Sequence, residues 1–236
     1  MYSSLAEKRV RLRERPGPRV NLTAKLTSLS DWMFSPLVAR AAGTYSDAIQ
    51  TPSHFIEMLF LVEDKRFPIH IGVDPIAIVR AIAFNLRRGQ IQGASTLTQQ
   101  VFTVRIARSK GVTRSLTYKL GQSLWALGQS VFGNRASLLR EYVETVYWGR
   151  SYYGLDRAVE GYFGKSRALL SVAQSFFLAE RIAAPNRVSR RRISNLLDRM
   201  PIKTSIARNG ATIQDVRKVY EQVYGRGGET WQIPAR

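Results

Sequence analysis

The sequence predicts a mainly α-helical fold. Three observations carry that expectation. No stretch alternates polar and apolar residues with a sustained period of two. Apolar residues recur instead at helical spacing in several separate segments. Those segments open on capping residues or prolines and close on glycines.

Along the chain, residues 1–26 read as a basic arm with seven Lys or Arg against two Glu, in which Pro16 and Pro18 break any helix. Residues 27–45 carry a short apolar patch, Trp32-Met33-Phe34 followed by Pro36-Leu37-Val38, suited to docking on the core or lying at a membrane surface. Thr51-Pro52 reads as an N-cap with a first-turn proline, and the apolar run Phe55 to Val62 as a buried helix. Asp74-Pro75 repeats that start signal. Ile78, Val79, Ile82 and Leu86 follow at helical spacing, and Gly89 is the stop. Leu116, Leu120, Leu124, Leu127 and Val131 form another apolar stripe, ended by Gly133. Residues 137–148 and 168–184 read as helices. Thr212 and Asp215 form a capping box before Val216, Val219, Tyr220 and Val223, with Gly225 as terminator. There is no internal repeat and no low-complexity segment.

The composition bounds the classes available. A chain of 236 residues with 44% hydrophobic content suits one fairly large domain, or a core with a small appendage. It contains no cysteine, which excludes a disulfide framework and a thiolate metal site. The formal net charge of +19 points to polyanionic partners: nucleic acid, anionic lipid headgroups or a diphosphate substrate. No helix-turn-helix, zinc or RNA-binding signature accompanies that charge, so nucleic acid is not the expected partner. No apolar run approaches the roughly 20 residues that span a bilayer. The Arg-rich N-terminal stretch lacks the apolar middle of a secretory signal.

Two segments carry candidate chemistry. The first runs Glu63-Asp64-Lys65-Arg66-Phe67-Pro68-Ile69-His70-Ile71-Gly72-Val73-Asp74. An acid closing a buried helix is suited to act as a general base, because partial desolvation raises its proton affinity. The same residues also suit a solvated acid pair leaving a helix, with His70 capping a turn. The second is Gly93-Ala94-Ser95-Thr96-Leu97-Thr98-Gln99-Gln100. Ser95 is placed to cap a helix whose first-turn N–H groups suit phosphate or sugar oxygens. An ordinary N-cap is the alternative.

Taken together, the two segments resemble the first two signature motifs of the family 51 glycosyltransferases, the peptidoglycan polymerases. That pattern is Glu-Asp-x-x-Phe-x-x-His-x-Gly, then Gly-x-Ser-Thr-x-Thr-Gln-Gln about thirty residues later, and every fixed position is met here. Tyr147-Trp148-Gly149, Tyr153-Gly154-Leu155, Ala158, Tyr162-Phe163-Gly164-Lys165, Leu169 and Leu178-Ala179 resemble the fourth and fifth motifs. Ala184-Pro185, Arg191-Arg192 and Leu197-Asp198-Arg199-Met200 resemble the stretch that follows. The resemblance covers about residues 45–224. It implies a lysozyme-like helical lobe with a smaller membrane-facing jaw, and it divides the chain into an arm and apolar segment at 1–44, the glycosyltransferase-like domain at 45–224 and a tail at 225–236.

By the same resemblance, lipid II would be joined to a growing glycan strand with release of undecaprenyl diphosphate. Glu63 would be the general base. Asp64, Phe67, His70, Ser95, Thr96, Gln99 and Gln100 would bind substrate, and Arg114 and Lys119 would hold the diphosphate. The family's second acid, which organises that diphosphate through a divalent cation such as Mg or Mn, falls at Gln122, in Tyr118-Lys119-Leu120-Gly121-Gln122. Residues 101–140 contain no Asp or Glu at all. Further departures are Thr103 at a family Lys position, Arg140 and Gln174 at Glu positions, and Glu144 at an Asn position. These departures leave an impaired relative, binding lipid II or glycan or modulating another cell-wall enzyme, as the second expectation. The resemblance also implies the bacterial cell envelope, at the periplasmic face of the inner membrane. The transmembrane anchor usual in the family is not seen in this sequence. The basic arm is suited to an anionic membrane surface, at about 1 kcal/mol per Lys or Arg.

Overall fold

A computed structural model of the chain describes residues 22–88, 95–107 and 115–225. Among these residues the fold is helical throughout, with no strand and one isolated antiparallel bridge between Tyr147 and Tyr153. The helices are α1 (Leu22–Ile49), α2 (Ser53–Glu63), α3 (Pro75–Arg88), α4 (Leu97–Ala107), α5 (Leu116–Phe132) and α6 (Arg135–Thr145), then α7 (Leu155–Phe163), α8 (Val172–Arg181), α9 (Arg190–Leu197), α10 (Met200–Arg208) and α11 (Ile213–Tyr224). A single 3₁₀ turn, Arg167–Leu169, precedes α8.

The core is built around α2. Its sequence is apolar on nearly every side, and Phe55, Ile56, Met58, Leu59 and Phe60 are fully buried. A helix with no polar face must be covered all round. Helices α1, α8 and α10 supply the cover. Each such Phe or Leu contributes about 1.5–3 kcal/mol by leaving water. The one buried acid within α2, Glu57, is met by the Arg208 guanidinium and by Asn209 Nδ2 at 3.5 Å. Helix α4 packs on α5 and α6, and α11 packs on α8.

Most expected boundaries hold for the expected reasons. Asp74 caps α3 by accepting from Ala77 N at 2.9 Å, ahead of Pro75. Thr212 and Asp215 form a reciprocal capping box, and α11 ends at Gly225. Gly133 ends α5. Gly89 and the arm through residue 21 lie outside the described residues.

Three expectations change. Thr51 does not cap α2: Pro52 occupies the N-cap, without a side-chain bond, and the Thr51 hydroxyl is buried with no partner. The helix expected over 168–184 begins only at Val172, because Ser171 and Gln174 form a capping box there. Helix α1 runs unbroken through residues 44 and 45, with Pro36 inside it. The stripe on α5 locates the helix but not its buried face. Leu120 and Leu124 are 62% and 60% exposed, whereas Gln122 and Ala126 are buried.

One turn fixes how the first motif meets α5. Gly72 has φ +83°, its N–H donates to His70 Nδ1 at 3.0 Å, and its carbonyl accepts from the Thr96 hydroxyl at 2.5 Å. A Cβ there would lie 2.1 Å from the Ala126 carbonyl oxygen. Both the dihedral and the space therefore require glycine. Replacing Gly72 with Ala is expected to lower stability by roughly 2 kcal/mol or more. The urea midpoint of the full chain checks this.

Candidate functional site

The site forms where the end of α2 meets the start of α4. Glu63 is the last residue of α2, and its side chain is 10% exposed. Two groups from distant parts of the chain face its carboxylate. Gln100 Nε2 donates to Oε2 at 3.3 Å, and Arg192 of α9 lies 3.5 Å from Oε1. The buried Tyr142 hydroxyl donates to Gln100 Oε1 at 2.6 Å, which turns the Gln100 amide nitrogen toward Glu63. Burial holds the Glu63 carboxyl above its ordinary value. Arg192 and Gln100 pull it back down, and Asp64 and Glu180 push it up. Desolvation, helped by the nearby Glu63 charge, keeps Tyr142 protonated far above its usual range, so it stays a donor.

Asp64 points the other way. Its carboxylate accepts from His70 Nε2 at 2.9 Å and from the Leu97 N–H at 2.9 Å, the first helical residue of α4. Because the Gly72 N–H donates to His70 Nδ1, the His70 ring proton is on Nε2. Phe67 is buried against Phe60 and His70, and Arg135 stacks over its ring while donating to the Phe67 and His70 carbonyls. Asp64, Phe67 and His70 therefore have their side chains buried and committed to protein contacts. They join the two motifs.

The cap of α4 corrects the expectation for Ser95. Thr96 is the N-cap: its hydroxyl accepts from Gln99 N at 3.2 Å, and Gln99 Oε1 accepts from Thr96 N at 2.9 Å. Thr96 and Gln99 are both buried in this box. Ser95 stands one residue earlier and accepts from Lys119 Nζ at 3.1 Å. Of the second motif, Gln100 reaches Glu63 and Ser95 reaches Lys119. Arg114, Gly93 and Ala94 lie outside the described residues.

Gln122 is fully committed. Its amide nitrogen donates to the Gln99 carbonyl at 2.7 Å and the Thr103 hydroxyl at 2.8 Å, and its oxygen accepts from Lys119 Nζ at 3.1 Å. A lysine only donates and a carbonyl only accepts, so this orientation of the amide is forced. The two departures at 103 and 122 thus touch each other and form a neutral pair, completed by the Tyr118 hydroxyl, which donates to Thr103 at 3.0 Å. A divalent cation needs free oxygen donors, usually with a carboxylate among them. Position 122 offers one oxygen that already faces an ammonium, so its residues do not fit the cation. Among the described residues no other group of three or more acids or histidines is placed to hold one.

Sequence reasoning did not single out two further features. The first is a cluster of cations, Lys65, Arg66, Arg80 and Arg199, that reaches Glu63 through Arg199. Lys65 is pulled down to about 8, by desolvation first and then by Arg80, Arg66 and Arg199. Arg199 also lies within electrostatic range of Arg192 and Glu63. The second is Glu180 in α8, wholly buried, with its carboxylate 3.5 Å from Arg192. Its signal in the sequence was a charged pair, Glu180-Arg181, inside the apolar run Phe176 to Ala184.

In this helical domain a desolvated glutamate at a helix end abuts an amide- and hydroxyl-bearing helix start, with arginines nearby. The chain belongs to the transglycosylase family, whose pattern matches residues 34–205. It is 35% identical over 144 residues to penicillin-binding protein 1A of Aquifex aeolicus, covering 60% of this chain and 19% of that protein. It is 32% identical over 142 residues to penicillin-binding protein 1A of Streptococcus oralis, covering 60% and 22%. With penicillin-binding protein 1B of Haemophilus influenzae it shares 33% over 141 residues, covering 57% and 18%. The chain thus spans about a fifth of the length of these relatives. No described helix is long and apolar enough to cross a membrane.

Two measurements follow from this geometry. Gln122→Glu would lose two buried donations, about 1–3 kcal/mol, against a gain of at most about 1 kcal/mol from pairing with exposed Lys119. A lower urea midpoint is therefore expected. Lys65 is expected to be acylated by an amine reagent with a pH midpoint near 8, well below the usual lysine range of about 10.4. Peptide mass spectrometry across pH 7–10 reads it, with exposed Lys218 as the comparison.

Proposed function

We propose that this domain polymerises lipid II, with Glu63 as general base. The carrying observation is the Glu63 carboxylate itself: desolvated, held by Gln100 and Arg192, and flanked by cations. In the reaction the 4-hydroxyl oxygen of the acceptor sugar bonds to the anomeric carbon of the growing strand. Its proton passes to Glu63, and the bond to undecaprenyl diphosphate breaks. A sugar hydroxyl is a very weak acid, so the proton moves late, as the new bond develops. A base with raised proton affinity suits that step better than an ordinary glutamate. The leaving diphosphate needs positive charge beside it. Lys119, which touches Ser95 and Gln122, and the cations Lys65, Arg192 and Arg199 are the groups suited to the two diphosphates. No step is assigned to a metal ion.

The exposed apolar side chains Ile71, Ile76 and Val79, with Leu120, Leu124 and Phe132, support the reading of a membrane-facing jaw, where a polyprenyl substrate would be met. The expected partners are then the lipid substrate, the glycan strand and an anionic membrane surface at the cell envelope.

A second reading has its own observation. Gln122 spends both amide hydrogens within the protein, and the neutral Gln122–Thr103 pair gives no negative charge to organise a diphosphate. In that reading the domain binds lipid II or glycan without turnover, or modulates another cell-wall enzyme. One assay separates the two. Purified protein is incubated with lipid II and the strands are resolved by gel, beside a Glu63→Gln control. Turnover that drops at least about 10²-fold in the control is expected. Equal product from both proteins removes Glu63 from the mechanism, and tight lipid II binding with no product from the unmodified protein establishes the second reading.

A further inference from the structure

The surroundings of Glu180 do not fit a purely structural role. An arginine and a carboxylate that serve only each other pair fork to fork, one bond to each oxygen. Glu180 instead takes three donors on one oxygen. Oε2 accepts from Arg181 Nε at 2.9 Å, Arg181 Nη2 at 2.5 Å and the Tyr220 hydroxyl at 2.9 Å. Oε1 makes no hydrogen bond, although the side chain is wholly buried. What faces it is Arg192 Nε at 3.5 Å, a charge contact without hydrogen-bond alignment. The same guanidinium places Nη2 3.5 Å from Glu63 Oε1. One cation therefore stands 3.5 Å from each of two carboxylates, with a single long hydrogen bond to Glu63 and a charge contact alone to Glu180.

We propose that Glu180 is a positioning residue that holds the Arg192 guanidinium between the two acids and so shares that cation with Glu63. The domain then carries two interacting acids. Glu63 is the one at the reacting end, and Glu180 is brought in from α8 although it never meets substrate. The inference rests on Glu63 being the base. It adds that Glu63 keeps its proton affinity because Arg192 is not free to close on it.

The groups around the pair fix the sign. Glu63 faces Asp64 from its own segment, Gln100 of α4, Tyr142 of α6, Arg192 of α9, Arg199 at the start of α10, and Glu180 beyond Arg192. Glu180 faces Arg181, Tyr220 of α11 and Arg192. Of these, Glu180 and Asp64 favour protonated Glu63, whereas Arg192 and Gln100 favour the carboxylate. Glu180→Gln removes a nearby negative charge and leaves Arg192 to Glu63 alone. Both changes favour ionised Glu63, so its titration moves to lower pH. Arg192→Gln removes the shared cation and moves it to higher pH.

The test uses the full chain labelled with [13C]glutamate at the carboxyl carbon. The Glu63 resonance is assigned by its loss in Glu63→Gln and followed with pH by NMR. The pH profile of lipid II turnover is measured beside it. The expected result is a Glu63 midpoint, and with it the acid limb of turnover, that falls in Glu180→Gln and rises in Arg192→Gln. If Glu180→Gln does not fold, Glu180→Asp is read instead. It keeps a charge for Arg181 and Tyr220, shortens the reach toward Arg192, and is expected to shift the midpoint the same way. An unmoved Glu63 midpoint in the Glu180 variant overturns the inference, even if turnover falls. Absent turnover in the unmodified protein overturns the proposed activity but not the pairing, which the NMR titration decides by itself.

Discussion

A buried carboxylate must find donors, and Asp64 finds them on both sides of the site. Its oxygens accept from the His70 ring, six residues on, and from the Leu97 N–H, thirty-three residues on. The second bond satisfies one of the first N–H groups of α4, which the helix itself leaves without a partner. It places a full negative charge at the positive end of that helix, where it is favoured. The end of α2 is thereby fixed against the start of α4. Glu63 precedes Asp64 and Gln100 lies one turn into α4, so the contact between Glu63 and Gln100 follows from the position of Asp64. The Gly72 turn and the Arg135 stack over Phe67 complete the clamp.

Adjacent acids are thus given different work by their surroundings. Asp64 is saturated with donors and serves the fold. Glu63 is desolvated, has one amide and one distant guanidinium, and keeps a raised proton affinity. The same contrast holds among the cations. Arg66 is closed on Asp74 at 2.7 Å within the interior, whereas Lys65 beside it is desolvated, faces other positive charges as well, and loses proton affinity. A cluster of like charges of this kind is costly until an anion arrives. That is the electrostatic sense of a chain with a net charge of +19.

The departures from the family pattern each have a local role. Arg140 donates to the Ala48 carbonyl at 3.0 Å and ties α6 to α1. Glu144 pairs with Arg167 at 2.5 Å. Gln174 is the third residue of a capping box, where an amide serves as well as an acid. Gln122 and Thr103 replace an acid and a base together, which leaves the local charge sum unchanged. Read singly, each looked like a loss. In three dimensions, the pair at 103 and 122 is a single change.

The sequence by itself determined the helical class, the cap at Asp74, the capping box at Thr212 and Asp215 and the terminators at Gly133 and Gly225. It also carried the two motifs that hold Glu63 and Gln100. These are local signals, because helix period, caps and motif spacing act over a few residues. What only the tertiary structure decided is which face and which partner each residue received. The α5 stripe had the right period, yet the face that packs on α4 is another one, made of Tyr118, Gln122 and Trp125: the two rings meet Phe102, and Gln122 satisfies Gln99 and Thr103. Ser95 was the expected cap, but Gln99 closes its box on Thr96. Arg192 and Glu180 are far from Glu63 in sequence, so no periodicity links them. Their meeting depends on α8 packing on α2 and on α9 packing on α10, which itself packs on α2; hydrophobic burial fixes this and no short segment encodes it.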